Sequence, residues 1–154
     1  MEPRMDKTTP LHHFPRWLME EHDLSSHFNA LLSSGKAGEV TARIQREPAT
    51  LQAVLELLAN ARTPLSGRVG IGVVMEDLAG SAILQQQVDA LGKISQHPDA
   101  RVRADACYYL GLSGADSARP YLQARLQDQD AAVQEVAAEA LGDLGLHTFT
   151  NLSG

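Results

Sequence analysis

A repeat with a period of 31 residues constrains this chain more than any other feature. Residues 68–80 (RVGIGVVMEDLAG), 99–111 (DARVRADACYYLG) and 130–142 (DAAVQEVAAEALG) align without a gap. Their shared apolar positions are Ile71, Met75 and Ala79, then Val102, Ala106 and Leu110, then Val133, Ala137 and Leu141. Spacing by four puts each set on one helical face. Gly80, Gly111 and Gly142 follow at once, where a helix end or a close inter-helix contact needs no side chain. The first copy is the weakest, because its leucine comes one place early, at Leu78, and Ala79 takes the aligned position.

Each aligned segment therefore predicts one amphipathic helix. The sequences HPDARV and DQDAAV place Asp99 and Asp130 where a carboxylate caps free amides at a helix start, and Ser66 is the corresponding candidate in the first copy. Second helices fall between the copies. Residues 81–95 predict one helix with Ile83, Leu84, Val88, Leu91 and Ile94 on its apolar side, and residues 115–127 another with Ala118, Leu122 and Leu126. Pro120 suits a helix starting near Ser117 or Arg119, since the first turn tolerates a missing amide. Short connections make each pair an antiparallel hairpin, which buries its apolar face only by stacking on the next. Upstream, Leu51, Val54, Leu55 and Leu58 mark the second helix of a degenerate unit, with Val40 and Ile44 facing inward from its partner and Pro48 ending that partner.

The composition fits an all-α fold: 44% of residues are hydrophobic but only 5% aromatic, and 154 residues suffice for one domain. The expected organisation is a tail at 1–10, a helical-repeat domain at 11–145 and a tail at 146–154. Trp17, Leu18, Phe28, Leu31 and Leu32 predict one or two short helices over the first open end of the stack. Net charge of −6 gives no field to draw nucleic acid or an anionic membrane, and no apolar run approaches a membrane span. One cysteine and no signal-peptide pattern point to a cytoplasmic protein.

Residues 99–114, 117–128 and 128–145 carry a resemblance to the HEAT-repeat superfamily, and the short period resembles the HEAT-like repeats of phycobilin lyases. The resemblance implies an α-solenoid of antiparallel helix pairs that contacts another macromolecule through a helical surface; it does not imply lyase activity. It further suggests that second helices line the contact face. On that assumption Gln85, Gln86, Asp89, Lys93, Arg119, Gln123 and Gln127 are candidate protein-contact residues, joined by Arg101 beside a helix start and by Tyr109, which is neither charged nor on the Val102/Ala106/Leu110 stripe. The competing role for Tyr109 is packing between repeats.

No chemistry-bearing motif stands out. His12, His13, His22 and His27 lie near Glu20, Glu21 and Asp23, but neither HExxH nor paired Cys/His spacing is present, so no metal is expected. Cys107 lies mid-helix beside Asp105, a poor setting for a thiolate. The Gly-rich run 67–72 lacks both the strand of a dinucleotide fold and a Gly-Lys-Ser/Thr sequence; close helix crossing at Gly70 and Gly72 is the plainer reading. No cofactor is expected. The leading functional expectation is a noncatalytic scaffold or adaptor binding a protein partner, with homodimerisation through the last repeat if Val133, Val136, Leu141 and Leu144 stay partly uncovered. The alternative is a lyase-type or chaperone-like protein handling a small cofactor, which a coloured or fluorescent copurifying ligand would favour.

Overall fold

The computed structural model describes the backbone of residues 16–153 and the side chains of residues 23–145. His12, His13 and the 1–10 tail lie outside the described residues, as do the side chains of Trp17, Leu18, His22, Leu146 and Phe149. The chain is an all-α solenoid of antiparallel helix pairs. Its helices are α1 (Arg16–Ser33), α2 (Ala37–Arg46), α3 (Leu51–Leu58), α4 (Leu65–Asp77), α5 (Ala82–Gln85), α6 (Val88–Ile94), α7 (Ala100–Ser113), α8 (Arg119–Arg125) and α9 (Ala131–Ser153). Short 3-10 turns at Pro48–Thr50 and Asp116–Ala118 lead into α3 and α8.

The 31-residue period reappears in space and reaches one unit further upstream. Val40, Ile71, Val102 and Val133 occupy equivalent places on α2, α4, α7 and α9, and all are buried. One turn on, so are Ile44, Met75, Ala106 and Ala137. In the irregular copy Leu78 is buried and Ala79 exposed, so the displaced leucine does fill the core. Burial of these aliphatic stripes against neighbouring units is what holds a solenoid together, since no unit closes its own core.

Polar links between neighbouring units supplement this packing. The Tyr108 hydroxyl donates to Glu76 and the Tyr121 hydroxyl to Asp89, each at 2.8 Å. Thr41 donates to Asp77 at 2.9 Å, joining α2 to α4.

Several local expectations are corrected. The Asp99 and Asp130 carboxylates do cap their helices, accepting from Arg101 and Val102, and from Ala132 and Val133. Ser66 does not cap: α4 begins at Leu65 from extended Pro64, with no side-chain cap, so Ser66 is already inside the helix. The helix expected over 81–95 is two pieces, α5 and α6, separated at Gln86–Gln87. The last helix spans Ala131–Ser153. It packs on α7 and α8, which buries Val133 and Leu144 and half-buries Val136 and Leu141. The apolar side left open in the sequence is thus largely closed within the chain.

Candidate functional site

The sequence-proposed contact residues fall into three groups. Tyr109 takes the packing role: it is 4% exposed, its hydroxyl close to Gly72 on the neighbouring unit, and burial pushes its phenol well above the ordinary range. It packs units together and offers nothing to a partner. Gln85, Asp89, Arg101 and Arg119 already serve the fold, through hydrogen bonds to Ser113 O (3.0 Å), Tyr121 (2.8 Å), Ala61 O (2.8 Å) and Asp116 (3.1 Å). Gln86, Lys93, Gln123 and Gln127 are exposed and bond to no other described side chain. Gln127 borders a polar cleft of about 420 Å3.

That cleft surrounds a buried ion cluster. The Asp128 side chain is 2% exposed and takes both Arg103 Nε and Nη2 at 2.9 Å, Arg125 Nη1 at 3.0 Å and the Asp130 amide at 2.9 Å. The Arg103 bonds hold its carboxyl below the usual carboxylate range, burial opposing, with the Asp130 amide and the charge of Arg125 helping. Arg103 Nη1 also donates to the carbonyls of His97 and Pro98, both at 3.0 Å. Asp128 thereby joins the turn before α7 to the turn before α9. This is a clamp between units, with the Arg103 donors largely consumed.

Reactive chemistry finds little support in the remaining polar groups. Cys107 is fully buried, and that burial pushes its thiol up to about 11, so it is protonated near neutral pH. Asp105 is raised by burial, partly offset by Arg68 at 4.0 Å. Among the described residues no three His, Cys, Asp or Glu side chains converge as metal ligands would.

The feature that sequence reasoning missed lies on α4. Leu65, Val69 and Val73 are 68%, 60% and 42% exposed, spaced by four on the face opposite Ile71 and Met75. They border an open, chiefly apolar cleft of about 500 Å3 whose other wall contains Ser33, Gly35, Ala37 and Gly38. Two local features make the cleft. At its floor Gly70 crosses α1 so closely that a Cβ there would sit 2.7 Å from Leu32 Cβ and 2.8 Å from its carbonyl oxygen. The α1–α2 turn passes through Gly35 at φ 81°, a conformation glycine adopts without strain, and neither Gly35 nor Gly38 has a neighbour where a side chain would be. The spacing Leu65-Val69-Val73 was visible in the sequence, but so was the buried stripe Ile71-Met75, and only the neighbours of α4 tell them apart.

Fold and surface together define an all-α solenoid of antiparallel helix pairs that carries an open apolar groove beside structural polar clamps. Comparison with known proteins agrees: residues 88–151 match the family model described as HEAT repeats. Among curated proteins the chain is similar to a deoxyhypusine hydroxylase from Neurospora crassa, 34% identical over 103 residues. The aligned stretch is 63% of this chain but 32% of that protein, so the chain spans about a third of its relative. No solved structure matches. No helix among the described residues is long and apolar enough to cross a membrane.

Proposed function

We propose that this chain is a noncatalytic protein-binding module, a cytoplasmic scaffold or adaptor built on short HEAT-like repeats of the phycobilin-lyase type. The observation that carries the reading is the exposed triplet Leu65, Val69 and Val73 beside a cleft whose far wall is made of small residues. Isolated surface aliphatics are ordinary, but three in a row along a helix, facing open space, give a partner a continuous apolar surface to bury. The regular part of the molecule supports the same reading by contrast, since its polar groups are engaged in holding units together.

Affinity enrichment with the full-length chain and its Val69→Asp variant tests the proposal. A protein retained by the wild type and lost by the variant, with helical circular dichroism and hydrodynamic size unchanged, is the expected result. Equal retention by both moves the contact away from the groove; retention of no macromolecule at all counts against the binding-module reading itself.

The likeness to a deoxyhypusine hydroxylase favours a second reading, in which the chain takes part in hydroxylation. Incubation of the chain with a deoxyhypusine-bearing protein under dioxygen and with a two-electron reductant, so that the second oxygen atom leaves as water, followed by mass spectrometry for an added oxygen atom, decides it.

A further inference from the structure

The polar cleft beside the Asp128 clamp keeps hydrogen-bond donors in reserve, while the carboxylate that lines it is saturated. An ionised carboxylate offers about four acceptor positions. Asp128 fills them: Oδ1 accepts from Arg103 Nη2 and the Asp130 amide, and Oδ2 from Arg103 Nε and Arg125 Nη1. Arg103 turns its remaining nitrogen, Nη1, to the carbonyls of His97 and Pro98. Arg125, by contrast, makes only the bond to Asp128, so its Nη2 donates to no described residue. His97 adds a second donor. Its Nδ1 accepts from the Asp99 amide at 3.0 Å, which puts the proton of the neutral ring on Nε2, and Nε2 has no acceptor among the described residues. The exposed Gln127 and Gln129 stand at the rim, and neither carboxamide bonds to a described residue.

Charge agrees with this excess of donors. Arg103 and Arg125 bring two positive charges to the cleft and Asp128 one negative, which leaves one positive charge unmatched among the lining residues. Asp99 and Asp130 stand nearby but outside the lining, each with a carboxylate oxygen turned onto two amides of its own helix. They temper the field without entering the cleft. A phosphate ester, with about two negative charges, exceeds what one unmatched charge offsets. A carboxylate matches it, and its two coplanar oxygens suit guanidinium and imidazole donors. The cleft measures about 420 Å3, within the span of about 300–1,000 Å3 usual for ligand clefts and far more than a bare ion fills. Carboxamides donate and accept as a peptide backbone does, so Gln127 and Gln129 suit main chain on either side of the carboxylate.

We propose that this cleft binds an acidic side chain, Asp or Glu, of a partner protein, its carboxylate taken by Arg125 Nη2 and the His97 ring and its flanking main chain by Gln127 and Gln129. The site uses no residue of the α4 groove; it deepens the protein-binding reading and rests on it.

The test uses the full-length chain labelled with nitrogen-15 and four probes: a short capped peptide of serine and glycine around a central glutamate, the same peptide with glutamine in its place, free acetate, and inorganic phosphate. The glutamate peptide is expected to shift the backbone amides of His97, Gln127 and Gln129 and the Arg125 Nε–H signal, a reporter buried without a partner in the free chain, while the Val69 amide stays in place. The glutamine peptide is expected to bind at least about tenfold more weakly, since it forfeits the charge-assisted bonds. Replacing both rim glutamines, Gln127→Glu with Gln129→Glu, leaves the clamp untouched and is expected to weaken the glutamate peptide about threefold; Gln127→Lys with Gln129→Lys is expected to strengthen it by a similar factor, at an unchanged urea midpoint. Equal binding of the two peptides, stationary cleft amides with both, or phosphate binding tighter than the glutamate peptide overturns the proposal. So do equal shifts with acetate at the same concentration, which give the cleft to a small free carboxylate. A partner captured by the wild type and equally by the double glutamate variant, alongside failure of both peptides, leaves the binding-module reading standing and removes this site.

Discussion

The α7–α9 region and the α4 region obey the same 31-residue pattern and finish it differently. Around α7 the pattern is regular: Asp99 and Asp130 cap their helices, and a buried Asp128 gathers two partly exposed arginines from different elements. Around α4 the capping aspartate is absent, its leucine is displaced to Leu78, and Gly70 replaces a side chain with a backbone crossing against Leu32. A repeat that keeps its polar turn residues closes its surface by clamping adjacent units. One that loses them is free to turn an apolar face outward.

If the comparison holds, breaking the clamp costs more stability than crowding the crossing of α4 with α1. Asp128→Ala leaves Arg103 and Arg125 side by side with no carboxylate between them, both only partly exposed. A fully buried pair broken from one side costs 3–5 kcal/mol; residual access to water here reduces the expected cost to about 2–4 kcal/mol. Urea unfolding of the variant measures it, and a loss under about 1 kcal/mol would make the cluster a surface ornament.

Next in size is Gly70→Ala. The added methyl meets Leu32 backbone as well as side chain, so α1 must move off α4, at an expected cost of about 2–3 kcal/mol. Because the same displacement widens the groove floor, Gly70→Ala should also weaken any partner held there. Gly72, two residues on, supplies the control: a Cβ there has its nearest neighbour, the Tyr109 hydroxyl oxygen, at 3.5 Å. Gly72→Ala is expected to stabilise the chain by about 0.5–1 kcal/mol through helix propensity. Opposite signs at two glycines of one helix would show that close crossing, not general flexibility, is what Gly70 provides.

Acid titration separates the regions in another way. Asp128 has a folded-state pKa held below its unfolded value, so its stabilisation is present above the ordinary aspartate pKa and is lost as pH falls through the depressed folded value. Asp105 acts with the opposite sign: burial raises its pKa, so the folded state is favoured with the carboxyl protonated, and the charged form opposes folding above the raised value. Stability of Asp128→Asn should therefore fall less steeply than wild type below about pH 4, while Asp105→Asn should gain near neutrality. Denaturation series across pH read both slopes.

What was legible in the sequence follows from the range of the interactions. The period, the buried Val102/Ala106 and Val133/Ala137 faces and the Asp99 and Asp130 caps depend on neighbours within one or two turns, and the structure places them as the spacing predicts. Leu78 was readable as a displaced core leucine for the same reason. The break at Gln86–Gln87 was not, because the apolar spacing continues across it from Leu84 to Val88. The places of Asp128 and Tyr109 could not be settled from spacing, because burial between units depends on residues tens of positions away: Arg103 for one, Gly72 for the other. The groove was hidden by plenty: α4 carries aliphatic residues nearly all round, and sequence spacing alone cannot tell which stripe finds a partner within the chain.

The smallest expected effect on stability bears most on function. Val69 is 60% exposed, and replacing it with aspartate removes little packing. The change lies within α4, away from both helix ends, so beyond a modest loss of helix propensity it should alter unfolding free energy by no more than about 0.5 kcal/mol. Buried Val74, five residues later on the same helix, is the matched contrast: Val74→Asp would place an unpaired carboxylate in the core and should prevent folding or cost several kcal/mol. Equal damage from the two substitutions would mean that both sides of α4 are covered in the native protein, and the open groove would be lost as a binding surface. A silent Val69→Asp that nevertheless releases a bound partner would show that the α4 stripe is maintained for contact rather than for folding.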